Sequence, residues 1–234
     1  MPRRARLILP NVPMHLIQRG NNKQACFLAT SDYTYYLHWL SQYAPNTGCQ
    51  IHAYVLMTNH VHLLMSALTA TSAAQMMKAL GQRYAQYINR TYGRSGTLWE
   101  GRYRSCPTQH EAYVLACYRY IELNPVRSRM VDHPADYRWS SYRANAHGEA
   151  SPFVQSHPVY DALAAEQSAR QAAYRALFQS ELQTGLIEQI RRATNGNRVL
   201  GDHRFAAQVE ASLGRRAAEG IPGRPRALAK RGTE

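Results

Sequence analysis

Residues 54–65 read Tyr-Val-Leu-Met-Thr-Asn-His-Val-His-Leu-Leu-Met, and they narrow the fold more than any other stretch. Two apolar runs meet at Thr58-Asn59, the pattern of two strands joined by a tight turn. Side chains two apart on a strand share a face. His60 and His62 therefore stand side by side on a sheet otherwise made of Val, Leu and Met. Neighbouring imidazoles are half of a divalent-metal site. For an isolated His-x-His the plainer reading is commoner: two half-buried histidines bonded to backbone. A second stretch, around Tyr120, shifts that balance.

The flanking chain supplies the rest of a small α+β unit. Residues 14–19 alternate and break at Gly20-Asn21-Asn22, a strand ending in a turn, where Arg19, Asn21 and Lys23 are placed to meet phosphate. Tyr33, Tyr36, Leu37, Leu40 and Tyr43 recur at helical spacing before Pro45-Asn46-Thr47-Gly48. That single amphipathic stripe reads as core packing rather than a base-stacking platform. A second helix starts near Thr71 or Ser72 and ends near Tyr92-Gly93. A fourth strand is expected over 97–105, with Arg102 and Arg104 on one face. They either bind phosphate beside the histidines or blunt an exposed edge. The order strand, helix, strand, strand, helix, strand is the split βαβ, ferredoxin-like layout: an antiparallel sheet with both helices on one face. The other face is expected to be open and to carry the histidines.

A third helix, about 109–123, contains Tyr120 and ends at Asn124-Pro125, because proline lacks an amide hydrogen and disfavours helical geometry before it. Tyr120 and Asn124 are four apart and share a face. Tyr118 lies about 200° around the helix from Tyr120, so only one of the two can face the histidines. Residues 132–142 are polar and aromatic and are expected to pack back on the core. Ala-rich helices follow at roughly 159–180, 181–193 and 202–213. The chain then divides into a catalytic domain (1–145), a helical extension (146–214) and a mobile basic tail (215–234) containing Arg224 and Arg226.

Charge identifies the class of partner. The chain carries 28 Lys and Arg against 15 Asp and Glu, a formal net charge of +13. All but Lys23, Lys78 and Lys230 are arginine. Such an excess points to a polyanion, and arginine suits phosphate and base contacts. Cys26, Cys49, Cys106 and Cys117 are widely spaced and form no Cys-x-x-Cys pair, so reduced thiols in a cytoplasm are expected rather than a zinc knuckle or disulfide framework. The longest apolar runs are too short to cross a bilayer, so no membrane partner is expected.

A phenolate can attack phosphorus and form a covalent ester that stores bond energy for later rejoining. Two imidazoles and one amide oxygen, from Asn124, would leave positions open on a cation for phosphate oxygens and water. Each residue has a plainer reading: Tyr120 as a core tyrosine with a wet hydroxyl, Asn124 as a helix terminator.

Thr58-Asn59-His60-Val61-His62-Leu63-Leu64 and Tyr118-Arg119-Tyr120-Ile121-Glu122-Leu123-Asn124-Pro125-Val126-Arg127 together resemble the REP-associated tyrosine transposases of the HUH superfamily. So do 15–21 (His-Leu-Ile-Gln-Arg-Gly-Asn), 98–105 (Leu-Trp-Glu-Gly-Arg-Tyr-Arg-Ser) and Trp139-Ser140-Ser141-Tyr142. The likeness covers about 7–145. It implies that His60, His62 and Asn124 hold Mg2+ or Mn2+ and that Tyr120 is the nucleophile. The substrates it implies are single-stranded DNA hairpins made by repetitive extragenic palindromes, cut and joined through a 5′-phosphotyrosine. It also implies a cytoplasmic, nucleoid-associated protein, a monomer with a dimer not excluded. The chain departs from the family at Pro10-Asn11, Met14-His15 and Glu100, where Pro-Gly, Tyr-His and glutamine are usual. Two other functions fit the same residues: a non-catalytic hairpin-binding nucleoid or regulatory protein, and a metal-dependent hydrolase that forms no covalent adduct.

Overall fold

The computed structural model describes residues 6–109 and 111–217; Arg224 and Arg226 lie outside them. Four strands form one antiparallel sheet: β1 (Met14–Arg19), β2 (Cys49–Met57), β3 (His60–Ala67) and β4 (Arg104–Pro107), in the order β2-β3-β1-β4. Helices α1 (Thr30–Asn46) and α2 (Ser72–Thr91) complete the ferredoxin-like core. The hairpin turns at Thr58-Asn59, pairing Met57 with His60 and Val55 with His62. β1 lies on the other side of β3, opposing Ile17 to His62 and Arg19 to His60.

Alternation sorts the side chains. Leu16, Leu56, Leu63 and Met65 face α1 and α2, where they meet Tyr36, Leu40, Met76, Leu80 and Tyr84. Ala53, Val55, Met57, Leu64 and Cys106 face the other way. A strand apolar on both faces needs cover on both, so the expectation of an open face fails. That second face is covered by α3 (Ala112–Glu122), with α8 (Thr184–Gly196) against β4 and β1. The continuous run Tyr54-Val55-Leu56-Met57 already carried this demand for a second layer.

The fourth strand is also displaced. Residues 97–103 are irregular, with Gly96 at φ 85° and Gly101 at φ 109°, conformations that an extended ladder does not accept. Leu98 and Trp99 instead turn into the first core; a single bridge joins Trp99 to Gly20, and the continuous ladder begins only at Arg104. After α3 the helix is interrupted at Leu123 and resumes as α4 (Asn124–Arg127), with Pro125 in its first turn, where no amide hydrogen is missed. Beyond it run α5 (Tyr142–His147), α6 (Pro158–Asp161), α7 (Gln167–Ala176) and α9 (His203–Leu213). The long helix expected at 159–180 is thus two shorter ones. All four cysteines are free and buried. Among the described residues no helix is long and apolar enough to cross a membrane.

Candidate active site

β1 and β3 set three imidazoles on the second face of the sheet. His15 and His62 are 1% and 2% exposed, and their rings stack with centroids 4.9 Å apart. His60, at the strand end beside the turn, stands edge-on to His62 at 4.9 Å. α3 lowers the Tyr120 ring against both inner histidines, with centroids 5.5 Å from His15 and 5.7 Å from His62. Tyr118 points away, into an aromatic cluster with Tyr160 and Tyr174. The choice between the two tyrosines is therefore made by the helix, as their angular separation requires.

Hydrogen bonds assign the ring protons. The Thr194 hydroxyl donates to the Ile190 carbonyl at 2.8 Å. Its oxygen is then the acceptor for His15 Nδ1, 2.8 Å away. His15 Nε2 is left as an acceptor, and it takes the proton of His62 Nδ1 at 2.7 Å. His62 Nε2 consequently carries a bare lone pair. The outer histidine repeats the device: Asn59 Nδ2 donates to the Lys23 carbonyl at 3.0 Å, which turns Asn59 Oδ1 toward His60 Nδ1 at 2.6 Å. His60 Nε2 is bare as well. Burial holds all three rings neutral. It lowers His15 to about 3, with Arg127 adding to the effect, and His60 to about 4, with Arg19 adding. His62 is lowered well below 6.5 by burial and then by its histidine and arginine neighbours.

Asn124 opens α4, one turn beyond Tyr120, and is 8% exposed. Among the described residues no group of three or more His, Cys, Asp or Glu side chains is placed to hold a metal. A third protein donor beside the two imidazoles would thus have to be of another type.

The basic residues fall into two groups. Arg19 lies opposite His60, and the turn of Asn21 and Lys23 is pinned to the hairpin by the Asn59–Lys23 bond and by Gly20 N donating to the Asn59 carbonyl at 2.8 Å. Arg19, Arg102 and Arg104 border one shallow depression with Glu100 and Asn195. Arg104 there is tied to Asn195 at 3.0 Å and to Glu100 at 3.4 Å. Glu100 thus engages an arginine of the depression.

Three residues gain a place that sequence reasoning had not given them. His15 was seen only as part of a strand, and its bond to Thr194 spans 179 positions. Arg127 lays its guanidinium 4.4 Å over the Tyr120 ring, and its Nε and Nη1 are buried without a hydrogen-bond partner. Burial lowers its pKa to about 10, so it stays charged at neutral pH. Glu122 is fully buried and accepts from the Ser141 hydroxyl at 2.6 Å, Asn145 Nδ2 at 2.8 Å and the Tyr174 hydroxyl at 2.6 Å. Ser141 also accepts from the amide of Tyr54 at 2.8 Å. The tyrosine helix is thereby fastened to β2, α5 and α7 through one carboxyl group. The one signal for Arg127 and Glu122 was their position inside the tyrosine motif.

Comparison with curated proteins finds no match. A solved REP-associated tyrosine transposase bound to a REP hairpin shares the fold, with a TM-score of 0.52 and 17% identity over 67% of this chain and 93% of that one. A transposase structure from Deinococcus radiodurans R1 aligns at TM-score 0.36 and 16% identity, over 58% of this chain and 98% of that one. Residues 9–124, which span the sheet, the histidine pair and the tyrosine helix, match the family model described as "Transposase IS200 like". That segment of the chain belongs to the IS200-like transposase family.

Proposed function

We propose that the protein nicks and rejoins single-stranded DNA at palindromic hairpins, through a covalent 5′-phosphotyrosine on Tyr120 and with a divalent cation. The observation that carries the reading is Tyr120 packed against an imidazole whose Nε2 is left bare beside a second bare Nε2. The hairpin is proposed by analogy with the hairpin-bound structure of shared fold. The catalytic unit is taken as 1–145, with 146–214 as its buttress.

His60 Nε2, His62 Nε2 and the Asn124 amide oxygen would hold the cation, Mg2+ or Mn2+. The neutral state of both rings fits that task, since a protonated imidazole binds no metal. When bound, such an ion polarises the scissile phosphate and screens its charge. Arg127, whose Nη2 donates to the Tyr120 carbonyl, would offer its two unpartnered N–H groups to a phosphate oxygen. Arg19, Asn21 and Lys23 line the strand end next to His60, while Arg102 and Arg104 receive the backbone farther along. The Tyr120 oxygen attacks phosphorus, the P–O3′ bond breaks, and the leaving 3′-oxygen takes up a proton in balance with the one lost by the phenol. Rejoining is the reverse step with a 3′-hydroxyl as the attacking group.

The test is a denaturing gel of the protein with a labelled single-stranded hairpin carrying unpaired flanks, in Mg2+ or Mn2+. A protein–oligonucleotide band is expected with the wild type, and none with Tyr120→Phe or after chelation. A band that persists in Tyr120→Phe would remove the tyrosine from its role. Strand cutting without any band would mean a hydrolase.

A further inference from the structure

Beyond the histidine–tyrosine site the molecule contains a second concavity, on the opposite side of the sheet edge. It is a groove of about 540 Å3 between α2 and the irregular stretch before β4, within the roughly 300–1,000 Å3 of small-molecule sites. Its wall is apolar where Met77, Ala85, Leu98 and Trp99 contribute. The Trp99 indole is fixed in place by donating Nε1 to the Gly81 carbonyl at 3.1 Å. Arg6 and Arg102 stand at its border, the Arg6 guanidinium 3.7 Å over the Tyr103 ring.

Gln18 makes this groove more than a gap in the packing. It is the last residue of β1 that faces α2, 6% exposed, and its Oε1 is buried with no hydrogen-bond partner. A buried, unsatisfied acceptor costs about 1–3 kcal/mol. In native proteins such groups are few and call for an explanation. Gly81 supplies the neighbouring space: a methyl group there would stand 3.4 Å from Gln18 Nε2 and 3.6 Å from the indole nitrogen. Side chain and groove thus offer a carboxamide edge, an aromatic wall and a cationic border in one place.

We propose that this groove is a base-reading pocket that takes one unpaired adenine of the DNA strand, with Gln18 as the reading residue. The inference rests on the DNA substrate proposed above. A flat heterocycle fits an apolar, indole-lined groove. A carboxamide pairs with adenine through two hydrogen bonds, its oxygen accepting from N6 and its nitrogen donating to N7. The strand can reach it without a new path, because Gly101 and Arg102 border both this groove and the depression of Arg19 and Arg104. A phosphate held at Arg102 has the depression of Arg19 and Arg104 on one side and the groove on the other.

The test uses the full chain with fluorescein-labelled oligo(dA) and oligo(dT) of equal length, read by anisotropy in Mg2+. The wild type is expected to prefer oligo(dA) by about tenfold. Gln18→Met keeps the length and loses the amide, and its preference is expected to fall within twofold. Gly81→Ala guards against a folding artefact. Its methyl makes only ordinary contacts, and alanine favours the helix by about 1 kcal/mol, yet it occupies groove space beside the carboxamide that a base would enter. It is expected to melt at or above the wild type and to lose the preference. Equal binding of both strands by the wild type, or a preference that survives both substitutions, overturns the proposal. Adduct formation by the wild type is scored in parallel on the labelled hairpin with unpaired flanks. An adduct without base preference removes the pocket and leaves the tyrosine chemistry standing. A Gln18-dependent preference without an adduct does the reverse.

Discussion

Under α1 and α2 the sheet presents Leu16, Leu56, Leu63 and Met65, all fully buried against aromatic and aliphatic side chains. Under α3 and α8 the same strands present Val55 and Leu64, but also His15 and His62, equally buried. For these side chains of the first face burial serves cohesion alone. The second uses it to suppress charge: of rings that titrate near 6.5 in water, His15 is lowered to about 3, His60 to about 4 and His62 well below 6.5. What separates the faces is the chain of polar contacts on the second, which runs from Thr194 through His15 to His62 and leaves one His62 nitrogen bare.

The comparison breaks or sharpens most strongly at the histidines. His62→Ala and His60→Ala are expected to take adduct formation to the gel background. His15→Ala, which removes the acceptor of His62 Nδ1, is expected to raise the Mn2+ concentration needed for half-maximal adduct about 10–100-fold, the usual cost of losing a group that orients a metal ligand. Its sequence neighbour Leu16, on the other face, should behave oppositely. Leu16→Ala is expected to lower stability by about 2–5 kcal/mol in urea melts, with adduct per folded molecule unchanged. A loss of chemistry in Leu16→Ala at full folding would erase the distinction between the faces.

A smaller effect tests the far side of α3. Burial lifts Glu122 from 4.5 to about 7, against the pull of Ser141, Tyr174 and Asn145. A raised carboxyl binds more protons folded than unfolded, so its contribution to stability is full below pH 4.5 and is lost as pH rises through 7. The loss amounts to about 3 kcal/mol. The buried histidines slope the other way, but they cancel when mutant and wild type are compared. Glu122→Gln is therefore expected to cost more stability at pH 5 than at pH 8, and an equal cost at both would mean that the carboxyl does not titrate in this window. Smallest of all, Tyr118→Phe is expected to change adduct yield less than twofold, since that ring lies among Tyr160 and Tyr174.

Much of this was legible in the residues. The hairpin of β2 and β3 and its histidine pair follow from two-residue alternation, and the break at Pro125 from proline chemistry. β4 was misplaced because Arg102-Tyr103-Arg104 alternates like a strand, while Gly96 and Gly101 set the backbone otherwise. The histidine pair suggests an open face, whereas Val55, Met57 and Leu64 beside it demand a covered one. His15 was not recognised because its partners come from distant parts of the chain, His62 from β3 and Thr194 from α8. The gap between α6 and α7 contains neither proline nor glycine, so no residue there announces a boundary.

The bond from Thr194 to His15 has one last consequence. The segment that matches the family model stops at residue 124, yet the hydroxyl that dictates which nitrogen of the inner ring stays bare comes from far beyond it. A chain cut after α4 would retain every group proposed to react and lose the contact that orients one of them. The C-terminal helices are thus part of the catalyst's wiring, and exchanging them between relatives would transplant a tautomer along with a surface.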